Sequence, residues 1–128
     1  KMHYEKVLSY VDLSIEEGGT ILCGGAPVMV PGHEEGWYIA PTVIEGLVQN
    51  TRCIQEEIFG PVVTLQPFDT DEDALRLAND VPYGLSATLW TNDLRRTQVF
   101  TQGLQTGIVW VNTWMLRDLR TPFGGVKN

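Results

Sequence analysis

The sequence predicts an α/β fold, a mostly parallel sheet with helical crossovers. Short apolar and β-branched runs at 62–65, 85–90 and 108–111 read as strands. Between them lie two stretches with apolar residues at helical spacing, each preceded by a residue able to cap a helix. Strand, helix, strand, helix, strand at this spacing leaves room for crossovers rather than hairpins. That makes the strands parallel and the connections right-handed. With 128 residues, 43% of them hydrophobic, the chain is large enough for one domain with a real core.

Taken in order, Tyr4, Val7, Leu8, Val11 and Ile15 recur at helical spacing, and Gly18-Gly19 stops that helix. Thr20-Ile21-Leu22-Cys23 reads as a short buried strand, which makes Cys23 an inert buried thiol. Residues 24–36 carry Gly24, Gly25, Gly32, Gly36, Pro27 and Pro31 and read as an exposed loop. Trp37-Tyr38-Ile39 and Thr42-Val43-Ile44 are extended and interrupted by Pro41, whereas residues 46–55 show no period. After the strand at 62–65, Thr70 caps a helix whose first turn holds Asp71, Glu72 and Asp73, where negative charge suits the helix dipole. Ala74, Leu75, Leu77 and Ala78 give it an apolar side, and Val81-Pro82-Tyr83-Gly84 ends it. Thr91 or Asn92 caps the next helix, at about 93–102, with Leu94, Val99 and Phe100 on or near its buried side and Gly103 closing it.

Charge and composition narrow the function. The net charge of −7 repels phosphate backbones, and 9 Lys and Arg are too few for a basic stripe, so nucleic-acid binding is disfavoured. No apolar run approaches the length needed to span a membrane. No secretory signal is visible; Lys1 leads into a helical pattern with internal charges, and because it is not Met the true start is expected upstream. The two cysteines, Cys23 and Cys53, make no disulfide framework, which fits a reducing, cytoplasmic setting. His3 and His33 lie far apart, and His33-Glu34-Glu35-Gly36 lacks the spacing of a zinc helix.

In parallel sheets, sites form beyond the carboxyl ends of the strands. Residues 112–120, just after the last predicted strand, are therefore well placed, with Trp114, Arg117 and Arg120 among them. Asn112 is suited to holding the turn there through backbone hydrogen bonds. A second notable stretch is Glu56-Glu57-Ile58-Phe59-Gly60-Pro61, where carboxylates sit beside an aromatic ring at a point where the backbone must turn. From the residues alone, Glu56 and Glu57 belong on the surface and Ile58 and Phe59 in the core.

This hexapeptide resembles the signature of the NAD(P)-dependent aldehyde dehydrogenases. Pro82-Tyr83-Gly84-Leu85-Ser86-Ala87, Gly107-Ile108-Val109-Trp110-Val111-Asn112 and Pro122-Phe123-Gly124-Gly125-Val126-Lys127 follow in that family's order and spacing. The resemblance implies that residues 1–128 are part of the catalytic, thiol-bearing domain. The cofactor domain, the nucleophilic Cys, the base Glu, the oxyanion Asn and the oligomerisation arm then lie outside this sequence. Cys53 does not match the family's nucleophile, whose context is glycine-flanked and upstream of the hexapeptide. The 128 residues are accordingly expected to be a fragment, inactive alone, of an enzyme that works as a dimer or tetramer. The family's reaction begins with thiolate addition to an aldehyde. Hydride passes to the nicotinamide, and glutamate-activated water releases the acid.

The resemblance also implies roles. Glu57 accepts hydrogen bonds from the nicotinamide ribose, the alternative being a solvated carboxylate. Phe59 packs near the nicotinamide, the alternative being plain core packing. Phe123 lies in the substrate tunnel or anchors its loop. The cofactor is NAD, with NADP left open. The run from Trp114 to Phe123 resembles the subfamily acting on muconic semialdehydes, such as 2-hydroxymuconic and 2-aminomuconic semialdehyde. These carry a carboxylate remote from the aldehyde, which Arg117 could bind bidentately unless it pairs with Asp118 on the surface. Arg120 is the weaker candidate and Trp114 a further lining residue. Another aldehyde, betaine or aliphatic, is the nearby alternative. A catalytically dead binding or assembly module is the alternative of another class.

Overall fold

In the computed structural model, which describes residues 1–128, the chain forms two compact units, Lys1–Pro67 and Phe68–Asn128. No helix is long and apolar enough to cross a membrane.

The first unit is organised by α1 (Met2–Glu16) lying on a three-stranded sheet of β1 (Thr20–Cys23), β2 (Thr42–Glu45) and β3 (Val62–Leu65). The helix forms where the apolar spacing predicts, but its buried residues are Val7, Tyr10, Val11 and Ser14, while Ile15 is exposed. Burial of Tyr10 and Ser14 is tolerated because both hydroxyls are hydrogen-bonded, that of Tyr10 to Glu56 and the Ser14 Oγ to the Val11 carbonyl at 2.7 Å. Gly18 reverses the chain at φ 88°, a left-handed conformation that costs glycine little. β1 is a strand as predicted but not a buried one. It lies on the edge of the sheet, and Leu22 and Cys23 face solvent. The stretch 37–39 makes only an isolated bridge, between Ile39 and Pro27.

β2 runs antiparallel to β1 and parallel to β3, with Thr42 opposite Val62 and Glu45 opposite Leu65. The core gathers Val7, Tyr10, Ile44, Leu47, Cys53 and Ile58 around this sheet. A short helix, α2 (Arg52–Gln55), occupies the aperiodic region between β2 and β3.

The second unit holds α3 (Asp71–Asn79), β4 (Ser86–Leu89), α4 (Leu94–Gly103) and β5 (Ile108–Val111). Thr70 caps α3 as predicted, accepting from the Asp73 amide. Asp93 caps α4, not Thr91 or Asn92, because its carboxylate accepts from both the Arg95 and the Arg96 amides. Thr91 supports that cap by accepting from the Asp93 amide. Gly103 is the last residue of α4 rather than a stop beyond it. Phe100 is buried, but Leu94 and Val99 are exposed, and α3 buries none of its residues fully.

β4 and β5 are parallel across α4, as predicted, with Ser86 opposite Ile108 and Leu89 opposite Val111. The strand at 62–65 does not join them; its hydrogen-bonding partner is β2. An apolar, β-branched run marks a strand without naming its neighbour. The fold is therefore α/β with parallel pairing, but in two sheets rather than one.

Ile44 is completely buried. Truncating Ile44→Ala should lower the unfolding free energy by about 2–5 kcal/mol, and Ile44→Val by about 0.5–1.5 kcal/mol, both read from urea denaturation midpoints.

Candidate functional site

In the first unit, the hexapeptide is held by side chains from two helices. Arg52 Nε and Nη2 donate to the two oxygens of Glu56 at 2.8 and 3.0 Å. The Tyr10 hydroxyl donates to the same carboxylate. The Arg52 hydrogen bonds and then that of Tyr10 hold the Glu56 carboxyl at about 2, well below its usual value, so it stays ionised. The bond to Glu56 likewise raises the Tyr10 hydroxyl and keeps it protonated. Glu56 is thus a structural anchor.

The next residue behaves differently. The Glu57 carboxylate has no hydrogen bond or ion pair; only its carbonyl is engaged, by Lys6 Nζ at 3.0 Å. Glu57 lines an open groove of about 300 Å³ with Glu56, Ile58, Phe59 and Thr64. Ile58 turns into the core, but Phe59 does not and is 74% exposed. The reason is backbone geometry. Phe59 sits at φ 59°, in the left-handed region, which points its side chain away from the core side taken by Ile58. For a bulky residue this conformation costs about 1–2 kcal/mol. Its carbonyl accepts from His3 Nε2 at 2.6 Å.

In the second unit, residues 112–120, the stretch following the last predicted strand, form an irregular segment after β5. Asn112 holds its start, at φ 54°: Oδ1 accepts from the Thr91 amide and Nδ2 donates to the Thr91 carbonyl, at 2.9 and 2.8 Å. Trp110 is buried, and its indole N–H donates to the Leu116 carbonyl at 2.8 Å, which pins the loop just before Arg117. Arg117 does not pair with Asp118. Its guanidinium lies over the Phe123 ring, 4.7 Å from the centroid, a cation–π contact. Asp118 is instead taken by Arg120, which binds both of its oxygens. Trp114 is 71% exposed. The structure therefore brings Glu57 and Phe59 together in one unit and Arg117 and Phe123 together in the other.

Downstream of Phe123, the chain packs closely against the start of β5. A Cβ at Gly107 would collide with the Gly124 carbonyl, so only glycine permits this approach.

The cysteines divide sharply. Cys53 is buried, its Sγ donating to the Tyr10 carbonyl at 3.5 Å. Burial, with a smaller contribution from Glu17, pushes its thiol up to about 12, so it carries no thiolate near neutrality. Cys23 is exposed, contrary to the reading of its strand as buried.

Sequence reasoning missed α2 and what caps it. Glu17 accepts from the Arg52 and Cys53 amides at 2.8 and 3.1 Å. Desolvation pushes the Glu17 carboxyl up, but those amides together outweigh it and leave it below its usual value. A cap supplied from the far end of α1 leaves no local signal. His3, Lys6 and Tyr10 were equally silent; each is polar on a helix read by its apolar residues.

Residues 1–128 match the aldehyde dehydrogenase family over their whole length, and the chain belongs to that family. A 2-aminomuconic 6-semialdehyde dehydrogenase of Pseudomonas sp is 49% identical over 124 residues, covering 96% of this chain and 25% of the relative. A 2-hydroxymuconic semialdehyde dehydrogenase of Pseudomonas sp. strain CF600 is 47% identical over 126 residues, covering 98% of this chain and 26% of the relative. Among solved structures, a betaine aldehyde dehydrogenase of Staphylococcus aureus in complex with NAD+ superposes with a TM-score of 0.94 at 37% identity, covering 99% of this chain and 25% of that one. The chain thus spans about a quarter of the length of the relatives it matches.

The thiols give a direct check on this geometry. With the native protein at pH 8, a thiol-reactive probe mapped by peptide mass spectrometry should label Cys23 within minutes and Cys53 only after unfolding.

Proposed function

We propose that this chain supplies cofactor and substrate groups to an NAD(P)-dependent aldehyde dehydrogenase, with NAD the favoured cofactor. The enzyme oxidises a carboxylated semialdehyde, of the muconic kind named for its relatives, to the acid. The observation that carries this reading is the split between two adjacent glutamates. Glu56 is consumed by Arg52 and Tyr10, while the Glu57 carboxylate is left unpaired on a groove beside an exposed aromatic ring. An ionised carboxylate accepts two hydrogen bonds at once, which suits the vicinal diol of a ribose. The Phe59 ring offers an apolar face for the nicotinamide. NAD, when bound, accepts the hydride. The catalytic thiol and its base would come from sequence outside these 128 residues, and the protein would assemble as a dimer or tetramer in the cytoplasm.

Arg117 supports the substrate class. The guanidinium lies over the Phe123 ring and makes no side-chain ion pair, so its N–H donors are open to a ligand. Because Asp118 is occupied by Arg120, no acidic side chain competes for them. Such a group attracts a remote carboxylate and repels a trimethylammonium, which disfavours a betaine aldehyde. Trp114, Phe123 and Arg120 complete the loop, with Arg120 holding its shape.

In the full-length protein, Glu57→Gln should raise KM for NAD roughly tenfold or more, by loss of a charge-assisted pair worth about 1.5–3 kcal/mol. Arg117→Leu should raise KM for 2-hydroxymuconic semialdehyde roughly 10–100-fold and leave an uncharged aliphatic aldehyde unaffected. An unchanged KM for the charged substrate would remove Arg117 from the site. Stable oligomers with no NAD binding would favour an assembly module instead.

A further inference from the structure

Three polar residues of α1 grip the hexapeptide. His3, Lys6 and Tyr10 are spaced so that they share one face of the helix. They bind, in the reverse chain direction, the carbonyl of Phe59, the carbonyl of Glu57 and the side chain of Glu56. The first two contacts bracket the residue whose backbone is left-handed, and they fall on main-chain atoms that any residue at 57 or 59 would present. A carbonyl only accepts, so His3 must donate through Nε2, as either the Nε2–H tautomer or the imidazolium does.

We propose that His3 and Lys6 are positioning residues. By clamping the carbonyls of Phe59 and Glu57 they hold Phe59 in its left-handed conformation, and so decide where the Glu57 carboxylate and the Phe59 ring are presented. The second part rests on the cofactor reading above; the first does not. No bond is made or broken to either residue during turnover, and neither needs to touch the cofactor for the effect. The exposed Glu57 carboxylate has no hydrogen bond or ion pair of its own to orient it, so its placement comes from the backbone that Lys6 and His3 hold.

The test uses His3→Leu, which removes the donor, and His3→Gln, which restores one, in the full-length protein. Hydrogen–deuterium exchange is followed over residues 56–61, with KM for NAD, KM for the aldehyde and Tm measured alongside. For His3→Leu, exchange across 56–61 should rise several-fold and KM for NAD roughly two- to tenfold, with KM for the aldehyde and Tm nearly unchanged. His3→Gln should return both affected quantities to within twofold of wild type. Unchanged exchange in His3→Leu overturns the clamp whether or not the protein uses NAD. Raised exchange with an unmoved KM for NAD overturns the link to presentation. Raised exchange in a protein for which Glu57→Gln also leaves NAD affinity unchanged would place the fault in the cofactor reading and leave the clamp standing. A comparable rise from His3→Gln would show that bulk, not the donor, matters, and would also overturn the proposal.

Discussion

The Arg52–Glu56–Tyr10 contact is the constraint on which the first unit depends. It ties α1, α2 and the hexapeptide together at one carboxylate. Its energy as a surface ion pair is modest, since both partners remain partly exposed. Its geometric effect is larger, because a forked guanidinium and a phenol fix the carboxylate in two directions at once. With Glu56 fixed, Ile58 is delivered to the core and Glu57 is left outside. Adjacent residues of the same type thus acquire opposite fates from which of them meets Arg52.

The second unit applies the same economy of partners. Asp118 has two arginines within reach in sequence, and Arg120 takes it. Arg117 then has only an aromatic face to rest on. The loop that carries it is irregular but not loose, since it is pinned by Asn112 at one end and by the Trp110 indole in the middle.

Much of this was legible from sequence. The strands at 62–65 and 108–111, the helix over Tyr4–Ile15 and the Thr70 cap follow from local patterns whose physics is local: β-branching, a 3.6-residue period and a hydroxyl next to free amides. What stayed hidden depends on partners distant in the chain. The α2 cap comes from Glu17, and the sheet partner of β3 is β2, neither of which composition can name. The residue-only placement of Phe59 in the core failed for another reason. Its residue type says core, but a left-handed backbone overrides hydrophobicity, and nothing in Phe-Gly-Pro announces which residue takes that conformation. Cys23 was misplaced because an edge strand and a buried strand look alike over so few residues.

The loop at 24–36 has a consequence for how this sequence can change. Its ends are stitched together by the Ala40 amide on the Ala26 carbonyl and the Val28 amide on the Tyr38 carbonyl, at 3.0 and 3.1 Å. Closure is therefore secured at the base, and the length of the tip matters little. Doubling a flexible loop adds only about 0.6 kcal/mol of closure entropy. Insertions and deletions should accumulate between Met29 and Gly36 while the register of β1 on β2 stays intact. The same tip is a natural place to graft a tag or a cleavage site without disturbing the strands on either side.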